Sequence, residues 1–112
     1  MNKCRMILTL SLLCAPAFAL ETRSIVLKNH LFHPQSIEVP AGQKIRLVIE
    51  NQDPGAEEFD SFDLNREKVL FPGRKSVIYI GPLEPGEYSF FGEFSPNTAR
   101  GVVIAKEQQH AP

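Results

Sequence analysis

The chain has 112 residues, room for one compact domain and no more. Twelve Lys and Arg against thirteen Asp and Glu give a formal charge of −1 with no basic cluster, which argues against a nucleic-acid partner. Both cysteines, Cys4 and Cys14, lie near the N-terminus, so the rest of the chain has no disulfide and no thiolate metal ligand.

Lys3 and Arg5 precede a short apolar run, "MILTLSLLCAPAF" (Met6 to Phe18), and Ala17-Phe18-Ala19 is a small-x-small cleavage pattern. Residues 1–19 therefore read as a secretory signal peptide, cleaved after Ala19. The alternative is an uncleaved anchor, but the run falls short of the ~20 apolar residues that span a bilayer. Leu13, which is not small, precedes Cys14, against a lipoprotein. Cleavage leaves 93 residues, no cysteine and a formal charge of −3, not embedded in a membrane.

Beyond residue 19 no apolar run has a helical period. Short β-rich runs recur between Pro and Gly turn signals, spaced by roughly 8–12 residues. "RSIVLKN" (Arg23 to Asn29) comes first, and "QSIEVPAGQ" then holds a short strand closed by Ala41-Gly42. In "KIRLVIEN" (Lys44 to Asn51), Ile45, Leu47 and Ile49 alternate with Lys44, Arg46 and Glu50, the clearest period of two in the chain. Pro54-Gly55 turns the chain into "EEFDSFDL"; "NREK" (Asn65 to Lys68) reads as a solvated mixed-charge loop. Pro72-Gly73 leads into "SVIYIGPL", Pro85-Gly86 into "EYSFFGEF", and "ARGVVIAK" closes before a polar tail. About seven short strands predict an all-β Greek-key β-sandwich over residues 20–107, with residues 108–112 as a disordered tail. A five-stranded oligonucleotide-binding barrel fits less well, given the strand count and the lack of surface basics.

"HLFHPQSIEVPAGQKIRLVIENQD" (His30 to Asp53) resembles the amino-terminal half of a cupredoxin, with Phe32, Pro34, Ile37, Val39, Ala41 and Gly42 in the pattern F-x-P-x-x-I-x-V-x-A-G. "EEFDSFDLNREK", "GPLEPGEYSFFGEF" and "NTARGVVIA" narrow the likeness to single-domain cupredoxin-like proteins related to the cupredoxin domain of EfeO-type iron-uptake proteins. The resemblance implies a sandwich of the cupredoxin type, a periplasmic location, and a role with iron or copper beside an iron permease or a periplasmic metal carrier. A blue-copper site needs a Cys thiolate, two His and usually an axial Met. The resemblance puts Glu57 or Glu58 at the first His, Gly92 at the Cys, Ser95 near the second His and Arg100 near the Met. No type 1 copper is expected.

Glu58 and Glu93 are the expected metal ligands, helped by Glu57 or by His30, where the resembling proteins usually keep a His. Carboxylates suit a hard cation, iron first, with copper if a nitrogen joins. Converging acids raise one another's pKa unless a cation neutralises them. The competing reading makes them solvated acids, or pairs one with Arg66, Lys68 or Arg100. His33 and His110 read as rim and tail imidazoles. Ser61, Ser76, Ser89 and Ser95 have no His near them in sequence and no nucleophile elbow, so no enzyme activity is expected. Two functions follow: an exported accessory that binds or delivers periplasmic metal, or a metal-free protein-interaction module in which the ancestral site is lost.

Overall fold

A computed structural model describes residues 7–10 and 20–108. The expected signal peptide falls mostly, and His110 wholly, outside the described residues. Nine strands follow in order: β1 (Glu21–Lys28), β2 (Leu31–His33), β3 (Ser36–Pro40), β4 (Ile45–Asn51), β5 (Glu57–Ser61), β6 (Arg66–Leu70), β7 (Lys75–Ile80), β8 (Gly86–Gly92) and β9 (Arg100–Lys106). They form a four-stranded sheet in the order β2-β1-β4-β7 and a five-stranded sheet in the order β3-β9-β8-β5-β6. β1 runs parallel to β4 and β3 to β9; the other pairs are antiparallel. The all-β sandwich is the class read from the sequence, with nine strands rather than about seven. The additional strands are β2, only three residues long, and β6, an edge strand exposed at four of its five positions. Neither carries the alternation that marks a half-buried strand. "NREK" is therefore a corner and the first half of a strand, not a loop.

Alternation places the core. Ile45, Leu47 and Ile49 of β4 point inward beside Ile25, Leu27, Ile78 and Ile80, against Ile37, Val39, Phe59, Leu70, Phe90 and Val103 of the facing sheet. Phe59 stacks on Phe90 at 5.0 Å between ring centroids, and Phe32 meets Phe90 edge-on at 5.2 Å. These three fully buried rings carry much of the apolar burial in a domain too small for redundancy. Beneath Phe90 lies Gly101, where a Cβ would collide with the Phe90 ring and come within 2.8 Å of the Gln35 carbonyl oxygen.

β4 ends in Asn51, a polar side chain with no solvent exposure. Its Nδ2 donates to the carbonyls of Gly55 and Leu70, both at 2.9 Å, and its Oδ1 accepts from the Asp53 N–H at 2.9 Å. Its backbone N–H donates to the Arg74 carbonyl, and its carbonyl accepts from Gly73. Gly73 sits at φ +70°, a conformation that asks for glycine. One side chain thus joins β4, the β4–β5 loop and β6, while its backbone joins the β6–β7 turn. Asn51→Ala would strand the Leu70 carbonyl and the Asp53 N–H in the interior and free the Gly55 carbonyl at its edge. It is expected to lower unfolding stability in urea by about 3 kcal/mol, since each orphaned buried group costs about 1–3 kcal/mol. Asn51→Asp, which keeps the acceptor and loses both donors, is expected to do no better.

Candidate functional site

Four connections meet at the end of the sandwich where β4 stops: the β1–β2 turn, the β4–β5 loop, the β6–β7 turn and the β8–β9 loop. Asp53, buried at 7% exposure, holds the first two together. Its Oδ1 accepts from the Asn29 N–H at 2.6 Å and its Oδ2 from the His30 N–H at 2.9 Å. Asn29 and His30 adopt φ of 53° and 58°, so the carboxylate steadies a left-handed pair of non-glycine residues. Sequence reading missed Asp53. Its signal was the spacing Asn51-x-Asp53 at a strand end, where side-chain oxygens commonly take up loose N–H groups.

The candidate ligands separate by strand parity. Phe59 faces the core, so Glu57 faces inward and Glu58 outward. Glu57 is 2% exposed, and its Oε1 accepts the N–H of Glu58 at 2.9 Å and of Phe94 at 2.8 Å. That carboxyl lies over Gly92, where an added Cβ would come within 2.7 Å of Glu57 Cδ and 2.9 Å of Ala99 Cβ. The position that the cupredoxin likeness assigns to the copper thiolate is thus a glycine roofed by a carboxyl group. Neither the donor set nor the space fits a type 1 copper.

Glu58 and Glu93 do come together. The Glu93 N–H donates to the Glu58 carbonyl at 2.9 Å, and the two side chains lie within hydrogen-bonding reach on the outer surface. The Glu58 carboxyl is held above its ordinary value of 4.5, first by the hydrogen bond with Glu93, then by partial desolvation. The charges of Glu93, Glu67 and Asp60 push the same way. Glu57 contributes nothing to that shift; the expected convergence of three acids is a convergence of two, with two further acids nearby. Among the described residues no group of three or more His, Cys, Asp or Glu side chains is placed to hold one metal ion.

His30 stands apart from that pair, at the rim, with 66% of its side chain exposed. Its Nδ1 lies 3.2 Å from Ser95 Oγ and 3.8 Å from Asp53 Oδ2. The sequence offered no reason to bring Ser95 and His30 together, since the contact depends on two distant loops. The trio is not a relay, because both contacts converge on one ring nitrogen. The Arg100–Glu93 pair that the competing reading allowed is absent among the described residues: Arg100 Nε donates to the Pro96 carbonyl at 2.6 Å. Lys68 and Arg66 likewise make no ion pair with these acids among the described residues.

The aromatic residues divide between core and surface. Phe59 and Phe90 are buried, whereas Phe62, Phe71 and Phe94 are exposed, the last beside Glu93. A cavity of about 790 Å³ lies at the opposite end among Leu20, Ala41, Leu83 and Pro85, away from Glu57, Glu58 and Glu93.

Comparison with known proteins agrees with this architecture. The family model described as "Cupredoxin-like domain" matches residues 4–105. An uncharacterized protein of Rickettsia prowazekii is 46% identical over 83 residues, 74% of this chain; the match spans 66% of that protein, just under two thirds of its length. Auracyanin A, a blue copper protein from Chloroflexus aurantiacus, superposes with a TM-score of 0.68 at 10% identity, over 79% of this chain and 100% of its own. The metal-binding domain of the Cu(I)-exporting P-type ATPase CopA from Streptococcus pneumoniae, solved with Cu(I), gives 0.68 at 15% identity, over 83% of this chain and 92% of its own. At such identities the two solved structures show the shared fold.

The packing of Glu57 on Gly92 predicts non-additive variants. Gly92→Ala is expected to lower stability by about 1–3 kcal/mol, the usual cost of overfilling a packed site. Glu57→Ala removes one of the two obstructing side chains. The double variant is therefore expected to be less destabilised in urea than the sum of its single changes, a coupling that a double-mutant cycle measures directly.

Proposed function

Since the chain belongs to the cupredoxin-like domain family, we propose that it is an exported accessory protein that binds or delivers metal in the periplasm through an outward carboxylate pair, without a type 1 copper centre. The observation that carries this reading is the Glu58–Glu93 contact. The hydrogen bond and charge of Glu93 hold the Glu58 carboxyl above its ordinary value, and a cation is the other species that relieves that repulsion once the Glu58 proton has left. Their oxygens suit iron or another hard ion, with water completing a sphere that two side chains leave open. Copper is the weaker choice, because His30 sits on a different edge of the rim. Residues 1–19 supply the export signal on this reading, and an iron permease or a periplasmic metal carrier is the expected recipient.

A second reading, a metal-free interaction module, is favoured by one observation. Glu57 already spends an oxygen on two backbone N–H groups and so ties β5 to the β8–β9 loop through the protein's own donors. Arg100 plays no part in that tie.

The two readings differ in titration. Calorimetry of residues 20–112 with Fe³⁺ supplied as citrate, and with Cu²⁺, is expected to show one saturable Fe³⁺ site. The Glu58→Gln, Glu93→Gln double variant is expected to lose it. Equal weak binding by both proteins would sink the metal reading and leave the module.

The raised pKa of Glu58 has a consequence for stability even without metal. A carboxyl whose folded pKa exceeds its unfolded one favours folding fully below the unfolded value and loses that benefit as pH rises through the folded value. The melting temperature is therefore expected to fall across a window that opens near pH 4.5 and extends upward. Glu58→Gln, which keeps the hydrogen bond and drops the charge, should flatten that slope in a thermal unfolding series.

A further inference from the structure

The outer face of the five-stranded sheet holds a second feature, separate from the Glu58–Glu93 pair. Asp60 lies two residues along β5 from Glu58, on the same face. It is only 7% exposed, yet no described residue gives its carboxylate a hydrogen bond or an ion pair. The other buried acids on the page, Asp53 and Glu57, each accept two backbone N–H groups. Asp60 accepts none.

Its surroundings sharpen the contrast. Directly across the β5–β6 ladder stands Glu67, a like charge at the position where opposite charges stabilise a sheet. Across the β5–β8 ladder stands Phe91, whose ring lies 5.7 Å from that of Phe62. Phe62 is 81% exposed, so most of its ring is uncovered. Asp60, Phe62 and Glu67 line a recess of about 360 Å³ at the β5–β6 corner. Arg66 borders the same recess, but its Nε donates to the Tyr79 carbonyl and its Nη1 to the Asn65 carbonyl. The cation nearest to hand is thus turned away from the acid that lacks one.

We propose that this recess binds an organic cation, an alkyl ammonium or guanidinium group, seated between Asp60 and Glu67 with its alkyl stem against Phe62. A carboxylate that no protein donor serves, on a residue otherwise covered by its neighbours, gains most from a donor that is itself charged. The exposed ring offers what such a ligand's body needs: apolar area for the stem and a π face for the charge. A small inorganic ion would find Asp60 and Glu67 but no use for Phe62, and the described residues offer it no third ligand. The group can come from a free amine or from a Lys or Arg of a protein partner; the recognising chemistry is the same.

The test is an amide chemical-shift titration of the folded chain with n-butylguanidinium, spermidine and the peptide Gly-Arg-Gly, at about 150 mM salt to suppress diffuse attraction. The expected result is saturable shifts at Asp60, Phe62, Glu67 and Phe91 with at least one probe, and the preferred probe tells free amine from peptide. Asp60→Asn should weaken that binding about tenfold, as loss of a charged hydrogen bond does. Glu67→Gln, at an exposed edge position, supplies a second variant if Asp60→Asn does not fold, and should also weaken it. Glu87→Gln, on β8 away from the recess, should leave it unchanged. The Glu58→Gln, Glu93→Gln variant should bind the organic probes as the parent does. Shifts that rise linearly without saturating, equal binding by the Glu67 and Glu87 variants, or tighter binding of Ca²⁺ than of every organic probe at these residues would overturn the proposal.

Discussion

The functional end of this domain depends on Asn51. A buried amide is stable only when its donors and acceptor are all met, and here a carbonyl and an N–H of the β4–β5 loop and a carbonyl of β6 meet them. Those bonds fix where the chain leaves β4, and so place Asp53 where its carboxylate takes the N–H groups of Asn29 and His30. Glu57 makes the matching tie on the other sheet, joining the start of β5 to the N–H of Phe94 in the β8–β9 loop. Three polar side chains and the Asn51 backbone therefore hold four connections in place by hydrogen bonds. Hydrogen bonds from the chain's own side chains supply that service here.

Glu57 and Glu58 are adjacent in sequence and opposite in consequence. The period of two sends one to the interior, where an oxygen serves backbone donors, and the other to the outer face, where it meets Glu93. The inward acid is tolerated because Gly92 has no Cβ; any larger residue would contest the same volume. Gly92 and Glu57 form a matched pair, the one leaving the space that the other's carboxyl fills. What remains for external chemistry lies on the sheet surface, not in a cavity between loops.

Much of this was legible beforehand, and the reasons for the rest are specific. The alternation in "KIRLVIEN" located β4 and its buried face, because both sides of that strand differ sharply in polarity. The parity of Phe59 already implied that Glu57 turns inward, a deduction available without coordinates. β6 escaped notice because an edge strand needs no apolar face, and β2 because three residues are too few to show a period. The meeting of Ser95 with His30 has no local signature, since it joins loops 65 residues apart. Asp60 reads from sequence as another surface acid in "EEFDSFDL"; only the neighbouring strands reveal that it is covered.

The distribution of charge then follows from the distribution of donors. Acids at this end that face backbone N–H groups, Asp53 and Glu57, are consumed by structure and leave nothing for a ligand. Acids on the outer face of β5 and β6 and at the start of the β8–β9 loop accept no backbone N–H, whereas Asp63 at the β5–β6 corner takes the free N–H of Ser89. Glu58, Asp60, Glu67 and Glu93 therefore stand as a field of like charges that only protons or external cations relieve. Sheet geometry itself separates the carboxylates that build the domain from those left for partners. The same hydrogen-bonded frame that ties the loops together also holds these outward acids at fixed spacing.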